Sequence, residues 1–503
     1  MKSPLLHLVL LTALLALSGS WRVLVANPFA GGSHQSVSLY LANLLATNGH
    51  HVTYLSTNIP KKLNSGVIKL ELPKTANVAN TAMDGGAYKQ VWGIELSWSE
   101  KYEVFRTISS FCHLFYEEPN VQMMIKSGQQ FDLLIAFGAQ DGCALALGQH
   151  LKINNSVLHM PGAFLLPTQI THLGIPLYAS SHNVDGIRLA DPTSLRESML
   201  SRAAQLIKVF VADALNCLFF RYSIDTVAYK HLPHYTGYKD MYSTVRVVFM
   251  HYNPHPLVDL PLPMGPGVIN LGGSTCDIGY DENKLPADLR EFVDSSPGFI
   301  LISFGSHLDR LPEEEVKLWV KVFSTLPYSV VWRLVGHTTT LPDNVRTYKW
   351  LPQQTLLHHP NIKMFISHGG YGSKIEAVCA GVPLLFVPRF AEQFFTAQHY
   401  SDIGTAEQIL MKPAERTVEE ITNKISKTLE VHSKTMKQVS RQVLQTRVTD
   451  DQALGYLEMA ASGHQLLPGY QPWYQYFYLD MIIIPTVIVA GLRYLIRKYM
   501  SRV

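Results

Sequence analysis

Charge is scarce in this chain and nowhere gathered into a block. Asp, Glu, Lys and Arg make up 16% of its 503 residues, against roughly a quarter in soluble domains. A formal net charge of +3 offers nothing like the basic field that nucleic acid requires. Cysteine is sparse as well. Cys112, Cys143, Cys217, Cys276 and Cys379 are an odd count without C-x-x-C spacing, which argues against a disulfide scaffold and a cysteine zinc site. No sequence period of 20–50 residues recurs, so a solenoid is excluded. There is no G-x-S-x-G elbow for a lipase-type nucleophile, and no G-x-x-x-G in the C-terminal apolar segment to mark a pair of membrane helices. What is abundant is apolar surface: 47% of residues are hydrophobic, enough for a large core with some left over for lipid.

Both ends carry that excess. Lys2 precedes an apolar run from Leu5 to Leu17, and Ser18-Gly19-Ser20 supplies small residues for cleavage. The run is short for a span and reads as a signal peptide, residues 1–20, with an uncleaved anchor as the other reading. Near the C-terminus an aromatic cluster from Trp473 to Tyr478 leads into apolar residues Met481 to Leu492, followed by Arg493, Arg497, Lys498 and Arg502. Interfacial aromatics on one side and positive charge on the other suit a stop-transfer helix over 474–496. A buried terminal helix is the alternative. The expected topology is type I: a lumenal body and a basic cytosolic tail, 497–503. The sequon Asn154-Asn155-Ser156 fits a lumenal glycosylation site.

Between the ends, short β-type runs alternate with helical patterns. Arg22 to Ala26, the glycine-rich turn Phe29 to His34, a helical pattern through Leu45, and His51 to Leu55 make a βαβ unit. Further strands are expected at Phe131–Phe137, Ser156–Met160 and Val245–Met250. The second half places strands at Gly298–Phe304, Ser329–Leu334, Lys363–Ser367 and Pro383–Val387, with helices at Pro312–Phe323 and Ser373–Ala380. Two doubly wound α/β domains follow, over 21–265 and 288–445. Residues 266–287 link them, and a helical segment over 446–473 leads toward the anchor.

The densest chemistry lies in Phe365-Ile-Ser-His368-Gly369-Gly370-Tyr-Gly372-Ser373-Lys-Ile-Glu376. A buried strand ends at a histidine, two glycines turn the backbone, and a helix is expected to start near Ser373. Its first N–H groups suit a diphosphate; His368 can donate to phosphate, and Glu376 can accept from ribose hydroxyls. A strand–turn–helix with no ligand is the plainer alternative. Upstream, Trp350 offers a stacking face and Gln353 a polar edge for a nucleobase, or a half-buried core tryptophan. Downstream, Glu392 and Gln393 suit vicinal sugar hydroxyls. Ser306 follows another strand and can reach phosphate from the opposite wall.

In this order, Trp350-x-Pro-Gln353, His368-Gly-Gly-x-x-Ser373-x-x-Glu376, Gly381-Val-Pro383 and Phe390-x-Glu392-Gln393 resemble the signature of membrane-bound UDP-glycosyltransferases. Gly32-Ser-His34 and the closing Trp473-Tyr474-Gln475-Tyr476 look most like arthropod members. The resemblance implies a GT-B fold, with the acceptor in the N-terminal Rossmann-like domain and the UDP-sugar in the C-terminal one. It also implies no metal and no cofactor beyond the co-substrate, and the chain has no D-x-D motif. His34 matches the family's catalytic base, though as a bare residue it reads as a turn or cap. Asp141 resembles the aspartate that orients this base, displaced by a residue. Gly372 replaces an asparagine of the pattern and Glu392 an aspartate.

The expected activity is inverting transfer of glucose to a small lipophilic acceptor at the endoplasmic reticulum membrane. UDP-glucuronate is the alternative donor, and a catalytically silent UDP-sugar binder the alternative class. Homo-oligomerisation is compatible with the sequence, and no nucleic acid partner is expected.

Overall fold

The computed structural model describes residues 19–28, 35–76, 110–138, 141–162, 169, 172–175, 218, 221–259, 264–276, 279–305, 310–389, 392–410, 416–469 and 479–500. The side chains of Glu392, Leu479, Asp480, Ile482–Ile484 and Met500 are outside the description. His34, Ser306 and Cys217 therefore lie outside the described residues, as does the proposed signal peptide up to Ser18.

The first domain is built on a seven-stranded sheet of order β3-β2-β1-β4-β5-β6-β7, every pairing in it parallel. Its strands are β1 (Arg22–Asn27), β2 (His51–Ser56), β3 (Ile68–Glu71), β4 (Leu133–Phe137), β5 (Ser156–Met160), β6 (Val245–Met250) and β7 (Val268–Asn270). Helices α1 (Ser36–Thr47), α2 (Pro119–Ser127) and α3 (Asp141–His150) connect them, with further helical stretches over 110–117 and 221–231. β4 and β5 are buried at every position. Their continuous apolar runs reflect a sheet covered on both faces, as parallel sheets must be. One face packs on α3 and the stretch over 110–117, the other on α1.

The second domain repeats the plan in six parallel strands, order β10-β9-β8-β11-β12-β13. They are β8 (Phe299–Ser303), β9 (Ser329–Arg333), β10 (Val345–Tyr348), β11 (Ile362–Ser367), β12 (Leu384–Phe386) and β13 (Glu407–Gln408). The helices are α4 (Ala287–Asp294), α5 (Glu313–Phe323), α6 (Gln353–Leu357), α7 (Tyr371–Ala380), α8 (Glu392–Asp402), α9 (Val418–Lys427) and α10 (Ser433–Thr446). Trp319 on α5 and Trp332 on β9 are fully buried and anchor one face of the core.

The two domains exchange chain. After β6 the backbone inserts Val258 into the second domain's core, then returns to pair β7 with β6. The segment 266–287 thus opens with a strand of the first sheet. In the reverse direction, α11 (Asp450–Ala461) packs Ala453, Leu457 and Ala460 against the first domain, with Val23 and Val25 of β1 in the same cluster. A capping box between Thr449 and Gln452 starts α11, and Asn155 Nδ2 donates to its last carbonyl, Ala461 O, at 2.8 Å.

The cysteines correct one expectation. Cys112 is bonded to Cys143, and Cys276 to Cys379. Partners 31 and 103 residues apart become neighbours only through the tertiary fold, which spacing along the chain does not reveal.

The last helix, α12 (Leu479–Met500), has 22 residues. Met481, Val487, Ile488, Leu492, Leu495 and Ile496 on it are exposed. Among the described residues, no helix is long and apolar enough to cross a membrane, so the expected span is not established by the fold.

Candidate active site

Each sheet reverses direction once. In the first, β1 is followed outward by β2 and β3, and β4 starts afresh on the other side of β1; β8, β9, β10 and β11 repeat the pattern. Loops at such a reversal diverge and leave a crevice at the carboxyl edge, where ligands bind in open α/β sheets. His34, Asp141, Ser306 and the residues from His368 to Glu376 follow strands that flank one of these two crevices, whereas Trp350 and Gln353 follow β10, and Glu392 and Gln393 follow β12.

In the first domain, β1 and β4 pair from Val23–Leu133 to Ala26–Ala136. β1 and β4 therefore end at the same edge of the sheet, with His34 seven residues beyond the first and Asp141 four beyond the second in sequence. Asp141 opens α3 and is 3% exposed. Gln169 Nε2 donates to Asp141 Oδ2 at 3.0 Å and to Gly138 O at 2.5 Å, and the Tyr242 hydroxyl also donates to this carboxylate. Burial pushes Asp141 up to about 7, although Gln169, Tyr242 and the N–H groups of the helix start all favour its charged form. Gln169 and Tyr242 belong to no motif and were not legible as partners.

In the second domain the glycine turn after β11 is shaped around His368. The imidazole is 9% exposed and lies between two glycines. A β-carbon on Gly305 would sit 2.6 Å from its Nε2, and one on Gly370 2.5 Å from the same atom. Gly305 and Gly369 also hold φ of +86° and +92°, which side chains other than glycine's rarely adopt. α7 begins at Tyr371, two residues before the expected start. Gly370 caps it in extended conformation without a side-chain bond, and its first turn contains no acid. The N–H groups from Gly370 to Ser373 form the positive end of this helix.

Trp350 is 70% exposed, as a stacking platform must be and a core tryptophan is not. Beneath it the Arg333 guanidinium lies 5.6 Å from the ring centroid and donates to Gly305 O, joining this exposed ring to the turn after β8. Gln353 Nε2 donates to Glu376 Oε2 at 2.6 Å and to Ser373 Oγ at 3.1 Å; Gln354 Nε2 reaches Glu376 Oε1 at 3.1 Å. Glu376 is thus preset by two amides, and Gln353 serves as one of its braces. Gln393 is buried, its Oε1 accepting from Arg389 N–H at 3.0 Å, so its oxygen shapes the loop after β12. Below that loop, Arg389 forms a fork with buried Glu315, at 3.1 Å and 2.5 Å, and lies over Phe304.

Among the described residues, His113, Glu117 and His231 of the first domain converge as groups of metal-ligand type. There His113 Nδ1 and His231 Nε2 already hydrogen-bond at 2.9 Å. Asn154 is exposed at the start of β5, as a sequon asparagine needs to be.

Residues 33–503 match the family described as UDP-glucoronosyl and UDP-glucosyl transferase. The chain is 25% identical to UDP-glucosyltransferase 2 of Dactylopius coccus, over 100% of this chain and 96% of that protein. It is 41% identical to a UDP-glucuronosyltransferase of Pleuronectes platessa, over 30% of this chain and 33% of that one. Among solved structures, glycosyltransferase VinC in complex with DTDP superposes with a TM-score of 0.56 at 16% identity, covering 88% of this chain and 99% of that one. That likeness establishes the fold as GT-B. With two reversal crevices, a glycine turn at the second and a family match across nearly its whole length, the chain belongs to the UDP-glycosyltransferases.

Proposed function

We propose that the enzyme transfers glucose from UDP-glucose to a hydroxyl of a small lipophilic acceptor, inverting the anomeric centre and using no metal. The observation that carries this reading is the donor crevice. An exposed Trp350 ring, a Glu376 carboxylate held by two amides and an acid-free helix start offer groups of the kinds that suit a base, a ribose and a diphosphate. In the reaction, His34 takes the acceptor proton as its oxygen bonds to the anomeric carbon. The bond from that carbon to the β-phosphate oxygen breaks on the opposite face, and UDP leaves with its electron pair. Asp141 fixes the imidazole tautomer and stabilises the imidazolium. The N–H groups of α7 and His368 receive the charge that develops on the leaving diphosphate. Glucose is favoured because the Dactylopius coccus relative, matched over the whole chain, is a UDP-glucosyltransferase. Glucuronate is the second reading, from the higher local identity to the Pleuronectes platessa protein.

Lumenal placement is supported by the two disulfides, which persist in oxidising compartments. We read α12, together with the aromatic approach that precedes it in sequence, as the membrane anchor, because its described apolar side chains are exposed and Arg497 and Lys498 close it. Product mass after incubation with UDP-glucose or UDP-glucuronate and a panel of phenols tests the donor, and the anomeric proton coupling of the purified product tests the linkage. A mass gain from UDP-glucuronate alone would replace the glucose assignment.

A further inference from the structure

The helix that offers its N-terminus to the donor is secured at both ends to the chain that passes between the domains. At its far end Cys379 is bonded to Cys276, six residues beyond β7. In its first turn the Lys374 side chain is fully buried, and its ammonium is bonded to Asp259, in the insertion between β6 and β7. The second oxygen of Asp259 accepts from Asn253 N–H at 3.2 Å, and Asn253 Nδ2 donates to Gly272 O at 2.8 Å, so the carboxylate is itself anchored to both crossings. The ammonium lies 3.9 Å from the Tyr371 ring centroid and 5.9 Å from that of Tyr400 on α8. Tyr371 also presses on the first domain: a β-carbon on Gly162, just after β5, would lie 2.6 Å from its ring.

A buried lysine is a costly way to hold a helix, and an apolar residue of the same size would fill the volume as well. What the ion pair adds is direction: one ammonium, one carboxylate and two ring faces define a single seat for the first turn. His399 on α8 is pushed down to about 4 by burial and by the nearby Lys374 charge, so the imidazole beside the pair stays neutral.

We propose that Lys374 is a positioning residue for the donor. Held by Asp259 and Tyr371, it fixes the turn Gly370–Ser373 to the interdomain chain, and so sets the diphosphate in register with the acceptor domain and its base. It does not touch the donor, since its side chain is sealed from the crevice. The inference rests on the donor site assigned above and extends it to a residue within the glycine-turn motif that carries no role there.

The test uses full-length chain in membranes, as wild type, Lys374→Met, Lys374→Arg, Asp259→Asn and the Asp259→Asn/Lys374→Met double variant. Donor KM, acceptor KM, kcat and UDP inhibition are measured, and UDP affinity is read separately from thermal protection. Lys374→Met and Asp259→Asn should each raise the donor KM and the UDP inhibition constant at least tenfold together, with acceptor KM within twofold. The double variant should be no worse than either single one, because both remove the same link. Lys374→Arg, which keeps the charge, should recover most of the loss. A fall in kcat alone, with donor KM and UDP affinity unmoved, would show that the pair merely supports folding and would overturn the proposal. If wild type itself shows no UDP protection, the donor-site assignment fails instead.

Discussion

Asp141→Asn separates a catalytic carboxylate from a structural one, because the two roles predict opposite changes in stability. Burial holds Asp141 at about 7 in the folded protein, against an ordinary aspartate value of 3.8. A carboxyl group raised on folding contributes stability that is fully present below about pH 4 and is lost as pH rises through the folded value. Three units at 1.36 kcal/mol each give an upper bound of about 4 kcal/mol lost by pH 8. Asparagine never ionises, so the variant escapes that loss. Its Oδ1 can still accept from Gln169, and its Nδ2 can donate to the Tyr242 oxygen. Melting temperatures of the detergent-solubilised full chain should therefore diverge with pH. The two proteins should melt close together at pH 4, and the variant several degrees higher at pH 8. Over the same range its kcat should fall on the order of a thousandfold, because an amide cannot stabilise the imidazolium. A variant that melts lower at pH 8, with activity falling only as folded protein is lost, would refute both the burial argument and the assignment to His34.

Other perturbations have equally direct readouts. Trp350→Ala should raise the UDP-sugar KM between about fivefold and a hundredfold, the range of one lost stacking contact of about 1–3 kcal/mol. Since the ring is 70% exposed, the melting temperature should hardly move. Glu315→Gln leaves the buried Arg389 guanidinium without its counter-charge and should cost about 3–5 kcal/mol; chemical denaturation should show it, together with weaker sugar discrimination from the loop after β12. Full-length chain should resist extraction by alkaline carbonate while a chain ending at residue 470 is released; equal release of both would remove α12 as the anchor.

Much of the architecture was legible because parallel strands buried on both faces are written as unbroken apolar runs. β5 and β6 begin and end at the expected residues, and β8, β9 and β11 within a residue or so. α7 begins early because its cap is the backbone of Gly370, which leaves no Ser, Thr, Asp or Asn signature to read. The donor motif is contiguous in sequence, so its members could be named before any geometry was known. Its supporting residues are not contiguous. Arg333 meets Gly305 across 28 positions and Lys374 meets Asp259 across 115, and no local pattern encodes either approach. Gln169 and Tyr242 reach Asp141 from separate segments in the same way, and the two disulfides were missed for the same reason. Gln353 and Gln393 were expected to face ligand groups. Both are also bonded within the protein, a second duty that residue type alone does not disclose.

The central claim is that acceptor-dependent sugar transfer takes place here, with the base on the loop after β1. UDP release should be followed in membranes containing wild type or His34→Ala, with UDP-glucose, UDP-glucuronate and pooled phenolic acceptors. The account predicts acceptor-dependent release by wild type with UDP-glucose, a product heavier by one hexose unit in β-linkage, and loss of both in His34→Ala, which should still be protected by UDP against heating. Undiminished transfer by His34→Ala, or no transfer by a wild type that still binds UDP across a wide acceptor panel, would contradict it.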